Sequence, residues 1–279
     1  MWFTLPAVIF QPVLAQWLTV LAQWLTAAAP EGDFAQPEPT LPSPAAVCPD
    51  GMRLVEGVHA DHVQRLCTDF RLGHCYAFFE GFVAREARTT SVRACMDTYE
   101  WPNRAGAKPA VMVRFVEAEV QCRSVGKRMC TEVEWEMACE GPRASPWPYG
   151  FRQNDKICNS SKPYMPIREA KLASRERAIR EKETERLWQG EPSGSRPACV
   201  SSYEVVDLVG NVEEWVATSR PEWAFRSSLK GGYWSKPWAG CRGTNDSHGP
   251  RFRFYEVGFR CCKDPLLSIA EDIQAGPRP

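Results

Sequence analysis

Nine residues in the second half of the chain, Asp207-Leu208-Val209-Gly210-Asn211-Val212-Glu213-Glu214-Trp215, bring together acids, an amide, a glycine and a tryptophan. Acids and an amide held this close have the look of an active site, where carboxylates serve as the acid and base of a proton transfer. Three other groupings offer chemistry. His59, His62, Cys67, His74 and Cys75 are zinc-holding types, but their spacing matches no zinc module. Glu132, Glu134 and Glu136 supply several carboxylates, yet residues two apart on a helix point in different directions and cannot all meet on one substrate. Capping and a solvated face are the expectation there. Asp246, Ser247 and His248 have the flavour of a hydrolytic triad, but triads are assembled from distant segments, so His248 is expected on a surface loop. There is no phosphate-binding glycine loop with a lysine and no H-E-x-x-H.

The elements that must position these residues lie within a framework set by composition. With 34 basic against 34 acidic residues, nothing favours nucleic acid or an anionic membrane surface. Twelve cysteines with no CxxC pair read as disulfides of an oxidising compartment. Residues 1–30 carry no charged side chain and end in Ala27-Ala28-Ala29-Pro30. They read as a signal peptide cut near Ala28 or as a membrane anchor, although Pro6 and Pro12 weaken the span and a mis-chosen start codon is a third reading. The first two readings export the protein to a periplasmic, cell-surface or secreted location. Residues 31–47 form a Pro-rich tether, 48–265 one globular domain, and 266–279 a C-terminal tail.

Within the domain, Cys48 leads into a short strand, and Cys95 to Asn103 is a strand running into a turn. Pro109 to Phe115 is a second strand. Glu117 to Val125 has helical spacing stopped by Gly126. Thr131 and Glu134 form a capping box for a helix that carries Trp135 and Cys139 on one face and ends at Gly141-Pro142. Residues 168–188 form a charged, solvated helix with a thin stripe of Leu172, Ile179 and Leu187, within an insertion at about 167–190. The sharper alternative is that this helix docks a partner.

Five pieces occur in order: Gly126 to Glu136, Pro146-Trp147-Pro148-Tyr149-Gly150, Asp207 to Trp215, Lys230-Gly231-Gly232-Tyr233-Trp234, and Val257-Gly258-Phe259-Arg260-Cys261. Together they resemble the sulfatase-modifying-factor family, whose type member is the formylglycine-generating enzyme. Tyr99, Glu100 and Asn103 resemble an earlier element of the same family. The resemblance implies an α+β domain of the formylglycine-generating-enzyme fold, C-type-lectin-like and low in regular secondary structure. One fold hosts several functions, so activity must be argued from the site.

The family's oxidase converts a protein cysteine to formylglycine with molecular oxygen, using two thiolates that hold Cu(I). Here Tyr233 replaces the family serine and Lys236 occupies the first thiolate position. Cys241 aligns with the second thiolate when counted from Gly232, but with a structural cysteine when counted back from Gly258. The resemblance implies bridges Cys122–Cys261 and Cys139–Cys241, which would leave no copper pair. It also implies structural calcium held by the Asp207 and Glu214 side chains and the carbonyls of Gly210 and Val212. A second calcium site would begin at Asn159 and Ser160. The expectation is a non-catalytic binding or assembly protein, with a protein, peptide or glycan ligand near a vestigial cleft of Tyr233, Trp234, Trp238, Lys236, Cys241, His248 and Arg251. The alternative is the copper-dependent oxidase.

Overall fold

The computed structural model describes residues 47–266 except 87, 219, 221 and 238. The expectations for residues 1–46, for Trp238 and for the tail beyond Leu266 lie outside the described residues. No helix among the described residues is long and apolar enough to cross a membrane.

Strand β1 (Met52–Ala60) pairs antiparallel with β4 (Thr89–Asp97) along its whole length. Between them β2 (Val63–Arg71) and β3 (His74–Arg85) make a separate hairpin. Beyond β4 come α1 (Phe115–Ser124), β5 (Arg128–Met129) and α2 (Glu132–Glu140). The insertion contributes α3 (Glu169–Leu172) and α4 (Arg177–Leu187). The chain closes with β6 (Glu213–Ala217), β7 (Ser227–Lys230), β8 (Thr244–Asn245), β9 (Val257–Phe259) and β10 (Cys261–Lys263). One sheet runs β1-β4-β10-β5 and another β8-β7-β6-β9. β9 and β10 are separated only by Arg260, so one extended segment stitches the two sheets together. This is the α+β architecture the motifs imply, with much of the chain in turns and loops.

The local signals for the two longer core helices act as expected. Thr131 Oγ1 accepts from Glu134 N at 3.2 Å, while Glu134 Oε2 accepts from Thr131 N at 2.8 Å. Gly141, at φ 63, ends α2 in a left-handed conformation that few side chains tolerate. α1 starts two residues before the predicted helix and stops before Gly126, at φ 68. Two other expectations need correction. Pro109 to Phe115 is not a strand: Met112 sits at φ 59, which breaks the pleat, and its amide donates to Phe254 O. Residues 168–188 are not one helix. The chain breaks between α3 and α4, where Arg180 donates to the carbonyls of Ser174 and Arg175.

Three tryptophans with no solvent exposure, Trp135, Trp215 and Trp234, mark three clusters of the core. A buried tryptophan removes about 150–250 Å² from water, worth about 4–6 kcal/mol of transfer energy. Trp234 packs with Leu172, Leu187, Val212 and Tyr255, so the charged insertion is docked on the core through its few apolar side chains. Ile179 does not join them and stays exposed.

Six disulfides join all twelve cysteines: Cys48–Cys95, Cys67–Cys75, Cys122–Cys261, Cys130–Cys262, Cys139–Cys241 and Cys158–Cys199. Cys122 and Cys139 thus have the partners that the resemblance implies. Cys67 and Cys75 bond to each other across the hairpin, which removes both from any zinc site.

Candidate functional site

The Asp207–Trp215 stretch is a turn that enters β6. Asp207, Gly210 and Asn211 have φ of 57, 77 and 54. Gly210 is demanded twice, because a Cβ there would also lie 2.4 Å from the carbonyl oxygen of Asn159. That close approach lets Asn211 N donate to Asn159 O at 2.8 Å. The Asn211 side chain is then a hub. Its Oδ1 accepts from Asn159 Nδ2 and Glu191 N, and its Nδ2 donates to Glu100 Oε1 at 2.7 Å.

Charge around this turn is unbalanced. Glu100, Asp207 and Glu214 are all buried, and Arg260 is the cation among them. Arg260 makes a two-pronged pair with Glu214, at 2.6 and 2.7 Å, and Trp135 Nε1 donates to the same carboxylate at 2.8 Å. Glu100 accepts from Ser193 Oγ and Asn211, and Asp207 accepts from Gly194 N at 2.7 Å. Burial, reinforced by the neighbouring charge of Asp207, holds the Glu100 carboxyl well above its usual range. Burial pushes Asp207 up to about 6. With all three acids ionised, the cluster carries two negative charges beyond Arg260, which two protons or one divalent cation would balance.

The positions implied for calcium therefore fit unevenly. Asp207 fits a hard cation by charge and burial. Glu214 fits less well, because Arg260 and Trp135 already engage both of its oxygens. Among the described residues, no three His, Cys, Asp or Glu side chains are placed to hold a metal. A calcium ion here would rest on Asp207 and the carbonyls of Gly210 and Val212, an oxygen set of the right hardness. Asn159 Oδ1 is buried without a partner, and Ser160 packs on Gly210, so the second implied position lies against the first.

Copper does not fit. Cys241 is bonded to Cys139, no cysteine is free, and Lys236 donates to Glu213 Oε1 at 2.7 Å. Part of the implied cleft does come together, with Lys236 Nζ 5.1 Å over the Tyr233 ring and Tyr233 against Trp234. Trp234 is core, edge-on to Trp188 and Tyr233. His248 stacks on Phe252, and Asp246 takes Arg220 and Ser228, so no triad forms.

A second network escaped the sequence reading. Glu132 and Glu136 are not on a solvated face; they are 8% and 9% exposed and hold the fully buried Lys230. Lys230 Nζ donates to Glu136 Oε1 at 2.6 Å and lies 3.5 Å from Glu132 Oε1. His59 Nε2 is 2.8 Å from Glu136 Oε2, and Arg220 donates to Glu132 at 2.9 Å. Burial acts to raise the Glu136 carboxyl, but His59 and Lys230 override it and hold the group down at about 2. The partners come from β1, α2 and β7, and the network lines a polar cleft of about 640 Å³. The one sequence signal was Lys230 itself, a cation leading into a double glycine at a buried strand end.

The Sulfatase-modifying factor enzyme 1-like domain family matches residues 63–265. The formylglycine-generating enzyme of Mycobacterium tuberculosis (strain ATCC 25618 / H37Rv) is 28% identical over 120 residues, 42% of this chain and 35% of that protein. The uncharacterized protein YfmG of Bacillus subtilis (strain 168) is 28% identical over 193 residues, 61% of this chain and 38% of that protein. The chain thus spans little more than a third of the length of these curated relatives. Among solved structures, PvdO from Pseudomonas aeruginosa has 16% identity and a TM-score of 0.46, over 75% of this chain and 94% of that one. Treponema denticola variable protein 1 has 14% identity and a TM-score of 0.49, over 77% and 95%. The ordered motifs, the α+β frame and the match across most of the domain agree: this chain belongs to the sulfatase-modifying factor enzyme 1-like family.

Proposed function

We propose that this chain is a non-catalytic binding or assembly protein of its family, exported and braced by disulfides and structural calcium. One observation carries the first part: Cys241 is consumed by Cys139, and no thiolate pair remains to hold Cu(I). A binding role is also supported by the β2–β3 hairpin. It exposes Leu66, Phe70, Leu72, Phe79 and Phe82, with Leu72 86% exposed at the tip. Clustered exposed apolar side chains mark contact surfaces for other proteins.

The test is an oxidation assay on a short cysteine-containing sulfatase peptide with Cu(I) and oxygen. No formylglycine is expected, and copper-dependent aldehyde formation would overturn the reading. Calcium is tested by chelation, which should lower the melting temperature of the wild type and leave Asp207→Asn unaffected. Equal melting with and without chelator would remove it. Export is supported by six disulfides. N-terminal sequencing should find the recovered protein beginning near Ala28 or retained by a membrane; an intact Met1 on a cytoplasmic protein would contradict it.

A further inference from the structure

The insertion carries a weakly held joint. Between α3 and α4 the chain turns through residues 173–176, and over residues 173–179 every side chain except Ser174 is exposed. The buried anchors stand outside this stretch, Leu172 on one side and Glu183, Thr184 and Leu187 on the other. α4 also begins poorly. Glu176 at its N-cap makes no side-chain capping bond, and Arg177 puts a cation at the positive end of the helix. The joint is held by Arg180 donating to the carbonyls of Ser174 and Arg175, and by Glu176 N donating to Ser174 Oγ. Surface bonds of this kind open locally while the anchored body stays folded.

The side chains of the joint select what acts on it. Arg175 is exposed, and no carboxylate pairs with it among the described residues. Arg177 is 83% exposed and pairs only with the exposed Glu181. Arginines in other exposed turns are tied more firmly. Arg71 lies inside the short loop closed by Cys67–Cys75, over the Tyr76 ring. Arg88 holds Asp61 twice, pairing with its carboxylate and accepting from its amide. The turn at Arg104 is fixed by Asn103 N donating to Glu100 O and Gly106 N to Ser193 O. Residues 1–46 hold no lysine or arginine, and the tail beyond Leu266 holds only Arg278, whose next residue is Pro279.

We infer that this joint is a substrate site for an arginine-directed serine endopeptidase, which cuts the bond after Arg175 or Arg177. Exposed polar loops are where folded chains are nicked, and a trypsin-like pocket selects the cation before the bond. Water adds across that bond: the hydroxyl goes to the arginine carbonyl carbon, the proton to the nitrogen of Glu176 or Ala178, and the C–N bond breaks. Four disulfides cross the cut, Cys122–Cys261, Cys130–Cys262, Cys139–Cys241 and Cys158–Cys199. The last of these brackets the whole insertion. The product is therefore a two-chain protein that keeps its core and remains one molecule. This inference goes beyond the binding reading and stands independently of it.

The experiment is limited trypsin digestion of the full, folded, unreduced chain, followed by intact mass measurement and N-terminal sequencing. The first product should be one water heavier than the chain. Reduction should split it into two pieces, the second beginning at Glu176 or Ala178. Combining Arg175→Gln with Arg177→Gln should slow the first cut at least ten-fold and leave the melting temperature unchanged. A first cut elsewhere, a double variant cut as fast as the wild type, or pieces that separate without reduction overturns the inference. So does a folded chain that resists trypsin until it is denatured.

Discussion

Lys230 shows what single residues contribute here. Its ammonium ion has no solvent exposure, and Glu136, Glu132 and Thr244 Oγ1 complete it. Truncating one member of such a buried pair leaves a charge uncompensated, so Lys230→Met should cost about 3–5 kcal/mol, read by chemical denaturation. The pH dependence has a definite sign. Glu136 is held at about 2 in the folded protein, against 4.5 for the free group. Its contribution, about 3 kcal/mol, is therefore complete above about pH 5 and is lost as pH falls towards 2. Glu136→Gln should flatten that acid limb. Glu256 behaves oppositely: burial, then Glu213, raises its carboxyl well above the usual range, and its Oε2 has no partner. Stability from Glu256 is present below about pH 4.5 and lost as pH rises. Glu256→Gln should raise the melting temperature at pH 7 and change it little at pH 4; a loss at pH 7 would refute the assignment.

Among the elements, the β2–β3 hairpin separates stability from contact. Its strands are tied by Cys67–Cys75, and Arg65 anchors it to Glu140 and the carbonyl of Ala144. Phe70 and Leu72 face solvent at 71% and 86% exposure. Replacing both with serine should change unfolding free energy by no more than about 0.5 kcal/mol each while weakening retention on a hydrophobic column. A large loss of stability would show that they pack after all. The elements also show what the sequence makes legible. α2 was readable because Thr131, Glu134 and Gly141 act within a few residues of one another. The turn at Gly210 was readable because its glycine and acids are contiguous. The Lys230 network was not, since His59 and Lys230 lie 77 and 94 positions from Glu136 and only tertiary folding joins them. Pro109 to Phe115 had strand composition, but a contact with Phe254 far along the chain decided its backbone. The insertion's charge pattern showed its solvent face and concealed the break between α3 and α4.

At the scale of the molecule, the fold is held by long-range links. Cys139–Cys241 spans 102 residues and Cys122–Cys261 spans 139, and each such closure contributes about 2–4 kcal/mol. Arg260 joins the two sheets by pairing with Glu214 and donating to carbonyls at Asp97, Thr98 and Val206. The acid-rich turn is thus part of the scaffold, while the position that could have carried a redox thiol is a staple. Disulfide mapping by mass spectrometry, after alkylation of the denatured, unreduced protein, tests this most directly. The account predicts no alkylated cysteine and a linked pair of peptides containing Cys139 and Cys241. An alkylated Cys241 with a second free cysteine would contradict it and restore the oxidase reading.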